Sequence, residues 1–370
     1  MREPILFATA PSRGRACVER WRGMRPAFLC VLAHTETCLV PGLSAAGVSE
    51  ELRPLTPAAD AEVVHLGEAR CLPLLPSHPL GAAGPAGITR AALGLAQLQA
   101  TFVGAGLAVW PDTVCQRVSV EAGANITQGG AVPSAEHLFN AGVFIGRDLA
   151  VDSTYVVLGE SVPGGTTTAL ALLLALGYAA QGRVSGSMPG NAHALKHQVA
   201  SAALVASGLT FGQGRLDPLA AVAQVGDPMQ PLACGIARGA AEAGCDVLLA
   251  GGSQMVAVAA LLAALGGSAA LERVAIGTTR WIVEDPAADV PGLAADISPD
   301  LPLLAANLDF SSSRHPGLRA YEGFLVKEGV GAGGACIAAM LATGAPIETL
   351  EQIIDAVYDE LLGRLSPLAQ

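Results

Sequence analysis

The sequence predicts an α/β protein: a doubly wound, mainly parallel sheet with helices on both faces, and a smaller second lobe built from the N-terminal and C-terminal segments. Three observations carry this. Of 370 residues, 51% are hydrophobic but only 4% aromatic, and 44 are glycine; small side chains suit close packing of helices on a sheet. Short apolar runs alternate with longer helical patterns, the order expected of parallel βαβ units. A chain of this length also suits one large domain with a further lobe.

In chain order, the predicted strands are 26–33 "PAFLCVLA", 62–66 "EVVHL", 101–109 "TFVGAGLAV", 154–158 "TYVVL", 246–250 "DVLLA", 273–277 "RVAIG" and 303–308 "LLAANL". Predicted helices cover 166–180, 190–207, 230–243, 253–265, 319–327 and 333–342. A last one, 347–364, is amphipathic, with Leu350, Ile353, Ile354, Val357, Leu361 and Leu362 on one face. Segments 68–100, 111–140 and 284–302 lack clear periodicity and read as functional loops or lobe-forming stretches. The main nucleotide-binding domain is expected over 101–320. Residues 1–100 and 321–370 would make the smaller lobe and completing helices.

Composition excludes several classes. Mean hydropathy is +0.47, but the two most apolar stretches, 166–180 and 255–271, are rich in Ala or Gly and fall short of a membrane span. They read as buried helices, so no membrane partner is expected. The N-terminus carries charges throughout and has no sustained apolar core, which argues against a secretory signal. A net charge of −11 without a basic run gives nucleic-acid binding no support. The eight cysteines form no C-x-x-C pair, consistent with reduced thiols in a cytoplasmic protein. His193 and His197 could share a helix face, but no third ligand stands near them, and no metal site is expected.

Three glycine-rich stretches carry the chemistry. In 154–177, the strand "TYVVLGE" leads through "SVPGG" into the helix "TTTALALLLALG". Gly164 and Gly165 let the backbone approach an anion closely. Thr166, Thr167 and Thr168 can cap the helix or donate hydroxyls, and the helix start adds its own N–H groups and partial positive charge. The loop nearly matches a nucleotide-phosphate loop but has glycine where that loop has lysine, which disfavours a kinase or ATPase. An ordinary strand–turn–helix corner remains an alternative. In 326–342, "VKEGVGAGGACIAAMLA", Glu328 again precedes a glycine turn and an apolar helix. In 245–267, Gly251 and Gly252 join a strand to a helix and are placed to line the same carboxyl edge of the sheet.

Together these stretches resemble the nicotinate-nucleotide–dimethylbenzimidazole phosphoribosyltransferase family of cobamide lower-ligand activation. "GESVPGGTTT" aligns with its "GEMGIGNTT"-like loop, "DVLLAGGSQMVAVAA" with its "DVLxxxGGxEIAAMAG"-like segment, and "LVKEGVGAGGACIA" with its "RLGEGTGAALAL". The match covers about 155–342. The early "VLAHTETCLVPGLSAAG" is closer to an uncharacterised branch related to that family.

The resemblance implies roles. Glu328 matches the catalytic base, and Glu160 a second active-site acid beside the phosphoribosyl group. Gly164, Gly165, Thr166 and Thr167 match the phosphate-binding turn, and Lys196 a phosphate-contacting lysine. Gly251 and Gly252 match glycines near the nucleotide, and Gly329 and Gly331, in the turn after the base, are expected to bind substrate with them. The implied partners are nicotinate mononucleotide and a heterocyclic base, in a homodimer without cofactor. The implied reaction, which needs no metal, moves ribose 5-phosphate to an azole or purine nitrogen. Two departures stand out. The family's acid after Gly-Gly is Gln254 here, and an "ADHG"-like acceptor stretch is replaced by "AVWPDTVCQRVSVEAG". Asp112, Gln116 and Gln128 are weak candidates for acceptor contacts, with surface or helix-breaking roles as the plainer reading. The rival reading is a nucleotide-binding or regulatory homologue without turnover.

Overall fold

The computed structural model describes residues 2–365 apart from 48, 73, 74 and 76. Among these residues, eight strands form one sheet: β1 (Ile5–Thr9), β2 (Ala27–Ala33), β3 (Ala100–Ala105), β4 (Gln116–Ser119), β5 (Tyr155–Ser161), β6 (Asp246–Ala250), β7 (Val274–Thr279) and β8 (Leu303–Ala306). Their order is β1-β8-β7-β6-β5-β2-β3-β4. Every pairing is parallel except the edge pair, where β1 runs antiparallel to β8 with Ile5 opposite Ala306.

Alternate residues along each central strand feed two cores, as the period of two requires. Leu29, Val31, Val156, Leu158, Val247 and Leu249 face one side. There they meet helices α4 (Ala135–Leu149), α5 (Gly165–Ala175), α6 (His193–Ala206), α7 (Pro218–Val225), α8 (Met229–Glu242), α9 (Ser253–Gly266) and α11 (Val290–Ile297). Phe28, Cys30, Leu32, Tyr155, Val157 and Leu248 face the other. That side is covered by α1 (Pro11–Trp21), α2 (Thr56–Leu66), α3 (Ala86–Ala96), α13 (Ala332–Thr343) and α14 (Ile347–Leu365). Two short helices, α10 (Arg280–Val283) and α12 (Pro316–Arg319), complete the set. The doubly wound, mainly parallel architecture is therefore the one the sequence predicts. Among the described residues, no helix is long and apolar enough to cross a membrane.

Several local expectations are corrected. Residues 62–66 are the end of α2, not a strand; Pro57 opens this helix and Gly67, at φ 73°, closes it. The segments expected as loops contain α3, α4 and α11, and β1 and β4 were not foreseen. The predicted helix 319–327 is only α12 and one 3₁₀ turn, because Phe324, Val326 and Lys327 adopt left-handed backbone angles. The sheet also does not respect a division at residue 101, since β2 sits between β5 and β3. A parallel strand at that place needs partners on both edges, and β2 finds both of them, β3 and β5, across the expected boundary. The helices α2, α3, α13 and α14, drawn from the expected lobe segments, pack as one layer on this sheet.

The strand order reverses direction between β5 and β2. Such a switch point opens a crevice at the carboxyl ends of its strands, and β5 ends in Gly159, Glu160 and Ser161.

Candidate functional site

A cleft lies at that switch point and encloses about 880 Å³ of empty space, its open mouth included. Glu160, from the end of β5, and Glu328, from the turn before α13, both line it. Gly164 and Thr166 enter from the start of α5, Gly252 from the start of α9, and Gly329 from beside Glu328.

Glu160 is almost fully buried and accepts a hydrogen bond from Gln254 Nε2 at 2.8 Å. Burial, reinforced by the carboxylates of Asp227, Glu328 and Asp60, pushes its carboxyl up to about 8. Gln254, the residue that departs from the family pattern, thus lies directly on this acid. Gly165 makes the room: a β-carbon there would stand 1.7 Å from Gln254 Oε1. Gly251 sits behind the pair, its missing β-carbon 3.5 Å from Glu160 Oε1.

Glu328 is held at the start of α13. Its carboxylate accepts from the N–H groups of Gly329 and Gly333, each at 3.1 Å, and from Thr278 Oγ1 at 3.1 Å. Burial lifts its carboxyl to about 7 against these donors. The approach is tight, since a β-carbon on Gly333 would lie 2.0 Å from the Thr278 carbonyl carbon. Gly331 packs against Gly159 of β5, not on the cleft. The turn itself is strained. Val326, Lys327 and Val330 all have φ between 54° and 73°, which is uncommon for any side chain and costly for branched ones.

What holds this turn is a buried cluster that sequence reasoning missed. Lys327 is fully buried, and its Nζ donates to Asp285 Oδ2 at 2.8 Å and to Asn191 Oδ1 at 2.9 Å. Asp285 also accepts from Ser185 Oγ, Asn191 Nδ2 and the Ala287 N–H. Burial alone would raise the Asp285 carboxyl, but these four donors hold it below its usual range. The available signal was a lysine next to the predicted base in "VKEGVG".

The start of α5 is capped by Gly164, not by a threonine hydroxyl. Thr166 faces the cleft, Thr167 Oγ1 is buried without a partner among the described residues, and Thr168 donates to the buried Asp227. A small recess joins the cleft here, lined by Gly164, Thr166, Thr167, Ser187 and Lys196. Lys196 is buried, and a β-carbon on Gly186 would lie 2.4 Å from its Nζ. Burial, and then the like charge of Lys327, lowers its ammonium to about 7, with Asp285 opposing.

The site residues expected from sequence thus gather around one cleft and its recess, with Gly165, Gly251 and Gly331 supporting from behind. The acceptor candidates do not. Asp112 is exposed and paired with Arg70, Gln116 is exposed on β4, Gln128 lies in a separate 3₁₀ turn, and none lines the cleft. Instead, the wall opposite α5 is made by Thr56 and Asp60 of α2 and by His78. Reading 62–66 as a strand hid these residues; the legible signal was a lone aspartate in the alanine-rich run "TPAADAEVV".

No family model matches this sequence. Among curated proteins, the UPF0284 protein glr4139 of Gloeobacter violaceus is 45% identical over 363 residues, covering 96% of this chain and 93% of its own. A UPF0284 protein of Methanothermobacter thermautotrophicus is 41% identical, covering 90% and 93%. Two solved structures from Thermus thermophilus share the fold at 19% identity. CobT has a TM-score of 0.60 and covers 90% of this chain and 84% of its own. A nicotinate-nucleotide-dimethylbenzimidazole phosphoribosyltransferase has a TM-score of 0.58 and covers 94% and 91%.

Proposed function

The chain belongs to the UPF0284 family, and on that footing we propose that it is a phosphoribosyltransferase. It moves ribose 5-phosphate from nicotinate mononucleotide to a ring nitrogen of an azole or purine base, in cobamide lower-ligand activation, and acts as a homodimer. The observation that carries this reading is the meeting, at one cleft and its recess, of two buried carboxyls with a buried lysine beside a helix start.

The chemistry follows from these groups. The phosphate enters the recess, where the first turn of α5 and Lys196 meet it. An anion there returns Lys196 to its charged form, so a lysine near neutrality when the site is empty is suited to the task. The glycosidic C–N bond breaks and its electron pair leaves with the ring of nicotinate, which departs without needing a proton. The acceptor N–H gives its proton to Glu328 as the new C–N bond forms. A carboxylate with its pKa near 7 is matched to that transfer at neutral pH. Positive charge develops on the ribose carbon, and Glu160, when ionised, stabilises it. Gln254 orients Glu160 by the bond already described.

The test is nicotinate release from nicotinate mononucleotide with a panel of bases, followed for the wild type and Glu328→Gln. The variant should lose transfer by about 100-fold or more, while nucleotide affinity stays within a few-fold. Normal turnover by the variant removes Glu328 as the base. Nucleotide binding without release by any base favours the regulatory homologue instead.

A further inference from the structure

The wall opposite α5 has polar atoms that the transfer chemistry leaves idle. Thr56 and Asp60 stand one turn apart on α2, so they share a face. His78 approaches from the following loop, and all three line the cleft with Glu160 and Glu328. Each is buried, and Thr56 Oγ1, Asp60 Oδ1 and His78 Nε2 have no hydrogen-bond partner among the described residues.

Their chemistry is complementary and partly fixed. His78 Nδ1 accepts from the Leu80 N–H at 3.0 Å, which leaves the proton on Nε2 and makes that atom a donor. Asp60 Oδ2 accepts from Ser161 Oγ at 2.7 Å, which orients the carboxyl and leaves Oδ1 free. The Thr56 hydroxyl can do either. Buried polar groups without partners are uncommon and costly, and their gathering on one wall of a cleft calls for a ligand that completes them. Ser161 follows Glu160 directly, so the same strand end that presents an acid to the ribose anchors this wall.

We propose that Thr56, Asp60 and His78 read the polar edge of the acceptor, so that the acceptor class is a heteroaromatic base with a ring nitrogen beside an exocyclic amino or oxo group. A base with a hydrocarbon edge would leave three buried polar atoms unpaired. This inference rests on the transferase reading, and its test separates the two.

The full chain is given nicotinate mononucleotide with adenine, benzimidazole or 5,6-dimethylbenzimidazole, and kcat/KM is measured for each. Equilibrium binding of each base is measured in parallel. Adenine should exceed both benzimidazoles by about 100-fold or more, the range of discrimination available to a site built around hydrogen bonds. Thr56→Val and Asp60→Asn, both nearly isosteric, should each shrink that ratio by about tenfold. Benzimidazole controls for the bulk of the two methyl groups. Equal use of adenine and benzimidazole, or a ratio unchanged in both variants, overturns the proposal. If no base releases nicotinate, the transferase reading fails, and the binding measurements still decide: preference for adenine, lost in Thr56→Val, supports the wall as a polar-edge reader, and equal binding rejects it.

Discussion

Replacing Lys327 by methionine isolates the contribution of the buried cluster that holds the strained turn. Methionine fills much of the same volume and keeps the backbone angle demand unchanged, so the lost interaction is the ammonium group. In the wild type that group lies 2.8 Å from Asp285 Oδ2, in a place with no solvent exposure. After substitution, Asp285 keeps three donors, from Ser185, Asn191 and Ala287, but its charge is unpaired. Breaking a buried pair from one side costs about 3–5 kcal/mol. The sign with pH follows from Asp285. Its depressed carboxyl gives the wild type stability that is present above the unfolded pKa and lost as pH falls through the folded one. In the variant the same carboxyl is raised, so it takes up a proton as pH falls and relieves the unpaired charge. The deficit should therefore be largest near pH 8 and shrink toward pH 5. Urea unfolding at both pH values, with equal slopes, measures it. A loss below about 1 kcal/mol at pH 8, or one equally large in an Asp285→Asn background, would refute this account of the turn.

Other outcomes follow from the site. Glu160, Glu328 and Asp60 all have carboxyls raised by burial, to about 8, 7 and 7, and Lys196, lowered to about 7, opposes them only above that pH, so the folded state holds more protons than the unfolded one between pH 5 and 7. Stability of the ligand-free protein should fall as pH rises through that window, by at most about 1.4 kcal/mol per pH unit per group; a flat or rising profile in chemical denaturation contradicts it. Gly165→Ala should push the Gln254 amide aside and release Glu160. It should lower kcat/KM by about tenfold, as should Gln254→Ala, and the double variant should be no worse than either; multiplicative losses would show that the two act separately. Lys196→Met should weaken nicotinate mononucleotide binding by about tenfold or more. At pH 8 wild-type binding should take up a proton, read by calorimetry in buffers of different ionisation enthalpy; no uptake means Lys196 does not meet the phosphate.

The sequence showed the central strands and the apolar helices clearly because each is a continuous run whose period is set locally. The edge strands β1 and β4 were illegible for the opposite reason. They are short, one or both faces are partly exposed, and only a distant partner makes them strands. Helix α2 was misread because "EVVHL" alone has strand character, and the decisive signals lie at Pro57 and Gly67, outside that window. At the site, residues carried by glycine-rich turns were legible, since such turns announce close approach. Lys327 and the α2 wall left only one polar residue each as a local mark, and Asp285 left none. Their meaning comes from partners up to 136 positions away, as for Lys327 and Asn191, and no local pattern encodes that.

The edge pairing of β1 bears on how the chain comes to be folded during synthesis. The first strand finds its register only against the last, Ile5 opposite Ala306. At about 5–20 residues per second, translation separates the two by some 15–60 seconds. Through that interval "ILFAT" is an apolar strand without its partner, and β2 waits likewise for β5. Docking of β1 is therefore a late step, completed only after β8 has been made.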